Sequence, residues 1–321
     1  MLVDVFTGIL LIIILVVASG VAVDVFEKIA LETKANKLML ATLLVAISTS
    51  LPELFVGLAG ALNGQPQIGL GNILGANLAN LSWIIGGVAI VFGSIPVVGE
   101  YLAKELWVTI GMAMVPLLLL GDGRLTRWDG LVLIFLYFVY GYLMIKGGNN
   151  TLKHLKQSGR KKLSHHLKTK TDWAAHVVIL LLAFVVLGAS SWMLINLASK
   201  MSSSFGVSPF WIGLMVISIG TTLPELVLSI MAEERKDVSL VLGNILGSVV
   251  INSTLILGII AVISPIEYSD RLQRGTASLF MISVLGLFWL FTKSKRKLER
   301  WEGAVLVGIF AMFVGIQLMI V

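Results

Sequence analysis

The chain of 321 residues is 57% hydrophobic and only 13% charged, with a mean hydropathy of +0.95 and a formal net charge of +6. A soluble domain of this length carries about twice that charged fraction, so the composition indicates an integral membrane protein. Cysteine is absent, which excludes disulfides, thiolate catalysis and Cys-based zinc or iron–sulfur sites.

Apolar runs separated by polar segments predict an all-α fold of ten membrane-spanning helices. The connections are short except for residues 148–172, which are polar and basic. This linker divides the chain into a first five-helix repeat, residues 1–147, and a second, residues 173–321. The ten predicted spans are approximately 5–24, 38–62, 67–94, 100–121, 126–147, 173–198, 206–232, 238–264, 272–292 and 300–321.

The distribution of basic residues predicts the orientation of the chain in the membrane. Of the 24 Lys and Arg residues, all but five lie in segments on the same side as the linker 148–172. Because cytoplasmic loops are enriched in Lys and Arg, we expect the linker in the cytoplasm and both termini outside the cell, in the plasma membrane. The high positive charge is then a topology signal, and no nucleic-acid partner is needed to explain it.

The two five-helix repeats are related in sequence. Residues 48–54, STSLPEL, recur at 220–226 as GTTLPEL, and residues 71–75, GNILG, recur at 243–247, both at a spacing of 172 residues. Independent coincidences would not share one spacing. Since each repeat has an odd number of spans, the two lie in opposite orientations, which is the inverted-repeat arrangement of many secondary transporters.

In one apolar span of each repeat, a proline precedes a glutamate. The proline removes the hydrogen bond to the carbonyl four residues back and opens that turn of the helix. A carbonyl freed inside a membrane must find a partner, and a bound cation is a suitable one. Glu53 and Glu225 follow the prolines directly. Thr49 and Thr221 precede the glutamates by four residues, so hydroxyl and carboxylate can share a helix face.

Glu53 and Glu225 are the only acidic residues predicted to lie deep within a span, and no basic residue is predicted beside them. A charged carboxylate at the centre of a bilayer costs about 2.5–3.5 kcal/mol on insertion scales. The pair therefore holds either protons or metal ions. Two negative charges match one Ca²⁺, two Na⁺ or two protons, and a site shared in this way is typical of an antiporter.

The next span of each repeat carries the GNILG motif, whose glycines are expected to let helix backbones approach closely. Asn72 and Asn244 of this motif either buttress the broken helix or contact an ion. Farther along, Asn80 and Asn252 add amide oxygens, and Ser248 adds a hydroxyl one turn before Asn252. Carboxylates, hydroxyls, amides and carbonyls are hard oxygen ligands, which suit Ca²⁺ or Na⁺ rather than zinc or copper.

These motifs resemble the α-repeats of the Ca²⁺/cation antiporter superfamily, in particular its sodium/calcium exchanger branch. The resemblance extends over the entire chain and rests on STSLPE, GTTLPE, GNILGA and GNILGS. It implies a secondary active antiporter, not an enzyme, that exchanges Na⁺ for Ca²⁺ by alternating access and has no organic cofactor. The ion ligands that it implies are the side chains of Thr49, Ser50, Glu53, Asn80, Thr221, Thr222, Glu225, Ser248 and Asn252 and the carbonyls of Ala46 and Ser218.

The sequence departs from the family pattern at several positions. Ala76 stands where the family usually has serine, so one oxygen ligand of a Na⁺ subsite in the first repeat is missing. Asn80 and Asn252 are both neutral, whereas many relatives have an aspartate at one of them, which favours independence of K⁺. The GNA-x-E signature typical of the proton-coupled branch is absent, which disfavours that branch.

Two other functions remain as alternatives. A Ca²⁺/H⁺ or other cation/H⁺ exchanger is the nearest, and a passive cation channel is more distant. A channel requires a wet polar pore, whereas the intramembrane polar residues are confined to one midplane cluster. We expect a monomeric functional unit whose partners are membrane lipid and inorganic cations. Its first and sixth spans are expected to slide past a rigid core, because they carry no motif residues.

Overall fold

The computed structural model describes residues 2–32, 47–96, 100–155, 173–234, 238–268 and 270–320. The described ranges are almost entirely helical, with four strands of two residues each. The helices are α1 (Leu2–Glu32), α2 (Leu51–Leu62), α3 (Pro66–Ala79), α4 (Ile85–Phe92), α5 (Glu100–Leu119), α6 (Arg127–Leu155), α7 (Trp173–Phe205), α8 (Pro209–Ile212), α9 (Ser218–Thr221), α10 (Leu223–Glu234), α11 (Val238–Ile251), α12 (Leu257–Ile263), α13 (Arg271–Lys295) and α14 (Arg300–Ile320). The strands are β1 (Ile95–Pro96), β2 (Arg124–Leu125), β3 (Ile266–Glu267) and β4 (Lys297–Leu298).

The helices lie in the predicted spans, but some are longer: α1 continues to Glu32, α7 to Phe205, and α6 to Leu155, eight residues into the predicted linker. Within the described ranges, eight helical segments are long and apolar enough to cross a membrane. Two shorter apolar helices, Leu51–Leu62 and Leu106–Asp122, lie in the predicted second and fourth spans. The predicted all-α membrane fold is therefore confirmed. Residues 38–46 of the second span and 156–172 of the linker lie outside the described residues.

Several of the spans are interrupted helices. A helical turn at 47–49 precedes α2, and α9 precedes α10 in the seventh span. Short π-helical turns connect α3 to α4, α8 to α9, and α11 to α12. The π turns are Asn80–Ile84, Gly213–Ile217 and Asn252–Ile256. The first and the last of these occupy equivalent positions in the two repeats.

The spans differ sharply in burial. In the most apolar window of the α3–α4 span and of the α11–α12 span, 83% of the residues are buried, against 28% for α1 and 33% for α7. Helices α1 and α7 pack against each other and form, with α2, a hydrophobic cluster separate from the larger core. The third and eighth spans therefore form the centre of the molecule, and α1 and α7 lie at its periphery, as do α6 with 28% and α14 with 22% of the residues in that window buried.

Glycines of the GNILG motif bring α3 against the seventh span. A Cβ atom at Gly71 would fall on the backbone carbonyl of Phe210, and one at Gly75 would collide with Leu214 and Ser218. Only a residue without a side chain fits at such a crossing. The predicted close approach of helix backbones is confirmed for the motif in the first repeat.

Two pairs of antiparallel strands connect the repeats, and we call them the strand clasps. Strand β1 pairs with β4, where Ile95 lies opposite Leu298, and β2 pairs with β3, where Leu125 lies opposite Ile266. Each clasp joins a segment of the first repeat to a segment of the second. Because β1 and β2 lie at opposite ends of α5, the clasps lie at opposite ends of the helix bundle, as inverted repeats require.

Candidate cation-binding site

The second and seventh spans break at equivalent residues. In the first repeat, a helical turn ends at Ser50 and α2 begins directly after it, with a proline in its first turn. In the second repeat, α9 and α10 meet at Thr222. The backbone angles of the two residues are nearly the same, with φ −84° and ψ 9° at Ser50 and φ −85° and ψ 0° at Thr222. Each break lies two residues before its proline, in the turn that the proline was predicted to open.

A carbonyl at the first break is partnered by the first span. Ser19 of α1 donates its hydroxyl to the carbonyl oxygen of Ser48, at 3.2 Å, and both residues are fully buried. This contact was not predicted, because the first span was expected to carry no motif residues. A signal was available, since Ser19 and Ser191 stand at the repeat spacing in the first and sixth spans. Ser191 is also buried, and its hydroxyl has no hydrogen-bond partner within the described residues.

Glu53 and Glu225 lie in the first turns of α2 and α10 and are fully buried. Both carboxyl oxygens of Glu53 and Oε2 of Glu225 lack a hydrogen-bond partner, and no Lys or Arg of the described ranges pairs with either residue. Two buried carboxyl groups without a basic partner require protons or bound cations.

Threonines at the breaks are held by asparagines of the opposite repeat. Thr49 donates its hydroxyl to Oδ1 of Asn244, and Thr221 donates to Oδ1 of Asn72, both at 3.0 Å. A hydroxyl that uses its proton in this way still offers lone pairs to a cation. Of the two roles that the sequence left open for Asn72 and Asn244, this geometry favours buttressing of the broken helices.

Ser248 gives the two carboxylates different surroundings. Its hydroxyl lies 3.3 Å from that of Thr49 and donates to Oε1 of Glu225 at 3.3 Å. The equivalent residue of the first repeat is Ala76, which is fully buried and has no hydroxyl to offer. Glu225 therefore has a hydroxyl partner, whereas Glu53 lacks the equivalent one.

Asn80 and Asn252 are the first residues of the two equivalent π-helical turns. The hydroxyl two residues farther on, Ser82 or Thr254, donates to the carbonyl four residues before it. Turns of this kind are rare and occur frequently at functional sites. They were not predicted, since no proline or glycine marks their start in the sequence.

The amide groups of Asn80 and Asn252 are placed differently. Neither amide atom of Asn80 has a hydrogen-bond partner in the described part of the chain. Asn252 donates its Nδ2 to Oδ1 of Asn77 at 3.1 Å, and Asn77 donates its own Nδ2 to the hydroxyl of Ser253 at 2.8 Å. Because Nδ2 of Asn252 faces Asn77, the unpartnered Oδ1 of Asn252 points away from Asn77. Asn77 was missed from the sequence because its repeat equivalent, Val249, is apolar.

The elements that carry these groups contact one another across the repeats. Helix α2, which begins beside Glu53, contacts the π turn that begins with Asn252, and α10, with Glu225, contacts the π turn that begins with Asn80. Each π turn therefore packs against the broken helix of the other repeat. The predicted ligands with an unpartnered buried oxygen are Ser50, Glu53, Asn80, Glu225 and Asn252.

Other predicted ligands have internal partners. The carbonyl of Ser218 accepts the backbone N–H of Thr222 at 3.1 Å and its hydroxyl at 2.9 Å. Thr221 also donates to that carbonyl, at 3.3 Å. Ala46, the predicted counterpart of Ser218, lies outside the described residues.

The broken helices in two related repeats, with carboxylates buried between them, define a membrane transporter for cations. A family model described as sodium/calcium exchanger protein matches residues 4–146 and 175–319. The chain therefore belongs to the sodium/calcium exchanger family, and it is a membrane antiporter of cations rather than an enzyme. The family predicted from the motifs is confirmed.

Individual relatives agree with this assignment. The putative antiporter CaxA of Alkalimonas amylolytica is 30% identical over 290 residues, which cover 88% of this chain and 89% of the relative. A solved structure of the sodium–calcium exchanger NCX_Mj covers 98% of both chains with a TM-score of 0.67 and 23% identity. The crystal structure of an H⁺/Ca²⁺ exchanger, CAX, covers 99% of this chain and 87% of its own, with a TM-score of 0.75 and 18% identity. The two structures show that the fold is shared.

Proposed function

We propose that the protein exchanges Na⁺ for Ca²⁺ and that both ions bind between the two helix breaks. The observation that carries this proposal is the pair of fully buried carboxyl groups of Glu53 and Glu225, which have no basic partner in the described ranges. Two carboxylates neutralise one Ca²⁺ or two Na⁺, and hydroxyl and amide oxygens complete a hard coordination shell. Ions that compete for the same two charges are exchanged rather than carried together.

The proposed ligands have two kinds of support. Those with unpartnered buried oxygens offer coordination without breaking an existing hydrogen bond. The remaining ligands are proposed from the resemblance and, where described, from their position at the breaks. The first group is Ser50, Glu53, Asn80, Glu225 and Asn252, and the second is Thr49, Thr221, Thr222 and Ser248 with the carbonyls of Ala46 and Ser218.

Alternating access is proposed to result from sliding of α1 and α7. These two helices pack against each other in a hydrophobic cluster that is separate from the larger core. The hydrogen bond from Ser19 to the carbonyl of Ser48 connects α1 to the first break. A shift of α1 would therefore change the partners of a carbonyl at the ion site.

We further propose two repeats, 1–147 and 173–321, in a monomeric functional unit, with the linker 148–172 in the cytoplasm and both termini outside. The support is the distribution of basic residues and the repeat spacing. Because the chain lacks cysteine, single-cysteine variants test this orientation cleanly. A membrane-impermeant maleimide should label Ser203→Cys in intact cells and Ser158→Cys only after permeabilisation. The reverse pattern would invert the proposed topology.

A Ca²⁺/H⁺ exchanger is the second candidate. The observation that favours it concerns Glu53, whose two carboxyl oxygens have no hydrogen-bond partner in the described ranges. Ser248 donates a hydrogen bond to Glu225, but the equivalent residue of the first repeat is Ala76, which has no hydroxyl group. A carboxyl group in this setting can be neutralised by a proton as well as by a cation.

Transport of ⁴⁵Ca²⁺ into proteoliposomes distinguishes the candidates. The vesicles are loaded with Na⁺ or with K⁺, or carry only a pH gradient. We expect uptake driven by internal Na⁺ and none driven by K⁺. Uptake driven by the pH gradient alone would establish proton exchange instead. Uptake that is indifferent to every counter-gradient would contradict both.

A further inference from the structure

Three polar residues stand at intervals of four on α10. Glu225 is at the ion site, and Ser229 and Glu233 follow it toward the end of the helix at Glu234. Residues four apart share a helix face, and a rise of 1.5 Å per residue puts them about 6 and 12 Å from Glu225 along the axis. A line of oxygen atoms thus extends from the ion site to the end of the span.

The two outer residues have buried oxygen atoms without partners. Ser229 is fully buried, and its hydroxyl has no hydrogen-bond partner in the described ranges. Serine and threonine in this fold commonly donate to the carbonyl four residues back, as Ser218 and Thr254 do, but Ser229 does not. Glu233 is partly buried, and its Oε2 is also buried, with no hydrogen-bond partner in the described ranges. Such atoms are uncommon in proteins, and a bound cation or the water that it carries would satisfy both of them.

The first repeat has no such line. The equivalents of Ser229 and Glu233 at the repeat spacing are Gly57 and Ala61, which are buried and offer no side-chain oxygen. A side chain at Gly57 would collide with Ile260 of α12. The polar face of α10 therefore has no counterpart on α2, and it leads to the side of the molecule on which α6 ends and α7 begins, because α7 and the seventh span run in opposite directions.

We propose that Ser229 and Glu233 form an outer cation-binding station through which Ca²⁺ and Na⁺ pass between Glu225 and the linker side of the membrane. The inference rests on the proposed exchange of cations and extends it to a second, asymmetric site. The carboxylate of Glu233 attracts a partly hydrated cation near the membrane face, and the hydroxyl of Ser229 replaces one of its water ligands one turn deeper. A station of this kind affects ion entry from one side only.

Neutralisation of Glu233 tests the station, and its neighbour provides a matched control. Glu233→Gln keeps the size of the side chain and removes its charge, while Glu234→Gln removes an equal charge from an exposed residue. In proteoliposomes of defined orientation, Glu233→Gln should raise the half-saturating Ca²⁺ concentration about tenfold from the linker side and leave the other side unchanged. Glu234→Gln should match the wild type on both sides.

An unchanged linker-side value for Glu233→Gln, or an equal rise on both sides, would overturn the station. If the wild type exchanges cations and Glu233→Gln does not differ from it, the proposal of an outer station is contradicted and the proposed function is not. Absence of cation exchange by the wild type would instead overturn the proposed function.

Thiol labelling gives a readout that does not depend on transport. A membrane-impermeant methanethiosulfonate should label Ser229→Cys from the linker side, and Ca²⁺ should slow that labelling. Glu234→Cys, at the exposed end of the same helix, should be labelled at a rate that Ca²⁺ does not change. Failure of Ser229→Cys to react, or a reaction rate insensitive to Ca²⁺, would show that no cation occupies this face.

Discussion

At the scale of single residues, the charge of the proposed cation site is concentrated in Glu53 and Glu225, and its neutral oxygens come from hydroxyl and amide groups. The amide of Asn252 is positioned by a contact that crosses between the repeats, the hydrogen bond from its Nδ2 to Oδ1 of Asn77. Charge and geometry are therefore supplied by different residues. A substitution can remove one of them and leave the other in place.

Replacement of either glutamate by glutamine should abolish cation transport. Glu53→Gln and Glu225→Gln keep the shape of the side chain but remove one of the two charges that balance a Ca²⁺ ion. Uptake of ⁴⁵Ca²⁺ into proteoliposomes measures the loss, and size-exclusion chromatography with thermal unfolding verifies that the fold is retained. Glu267→Gln, at an exposed position, is the control. Retained transport in both glutamine variants would disprove the assignment of the site.

The difference between Ala76 and Ser248 predicts an effect on ion affinity. Ala76→Ser adds a hydroxyl beside Glu53 of the kind that Ser248 presents to Glu225. We expect a lower half-saturating Na⁺ concentration, because the first repeat gains an oxygen ligand. The Na⁺ dependence of ⁴⁵Ca²⁺ uptake measures it, and Ser248→Ala should change the value in the opposite direction. Equal Na⁺ affinities for all three proteins would mean that this position does not contribute to the site.

At the scale of helices and turns, close packing around α3 holds the site in place. The crossing of α3 with the seventh span brings backbone into contact with backbone at Gly71. The π turns that begin with Asn80 and Asn252 lie at the ends of α3 and α11. A change in the crossing would therefore be transmitted to the amides of the site.

Gly71→Ala should destabilise the protein, whereas Gly87→Ala should not. The methyl group at Gly71 meets the carbonyl of Phe210, and overpacking of this kind typically costs about 1–3 kcal/mol. At Gly87 no atom lies within 4 Å of an added Cβ, so the substitution should be neutral or stabilising. Thermal unfolding in detergent compares the two variants. Equal unfolding temperatures would show that the crossing is more adaptable than its geometry indicates.

These elements differ in how far they could be predicted from the sequence. The breaks at Ser50 and Thr222 were predictable, because proline opens a helix by a local mechanism. The π turns were not, because they depend on packing of the third and eighth spans, which are buried on nearly every side and therefore show no useful periodicity. Contacts such as those of Ser19 and Asn77 depend on which helices are neighbours, and a single sequence carries little information about that.

At the scale of the whole molecule, the repeats form one body rather than two separate domains. Hydrogen bonds cross between them at the proposed ion site, between Thr49 and Asn244 and between Thr221 and Asn72. The strand clasps add contacts at both ends of the bundle. The contacts that build the site therefore do not depend on the linker.

The repeats should assemble when they are made as two chains. Co-expression of residues 1–155, which keep α6 whole, and 173–321 should give a complex with ⁴⁵Ca²⁺ transport of the same order as the intact protein, because the contacts described above are non-covalent. Co-purification through a tag on one chain measures assembly, and each chain expressed alone is the control. Failure of the two chains to co-purify would show that the linker is required.

The strand clasps also bear on which contacts contribute to the activation barrier of the transport cycle. They involve segments next to α4, α5, α6, α12, α13 and α14, and neither α1 nor α7 contributes a strand to them. Sliding of α1 and α7 would therefore break no bond between strands. We expect the activation barrier to arise mainly from stripping water and oxygen ligands from the ion, so that turnover depends more on which cation is carried than on the stability of the bundle.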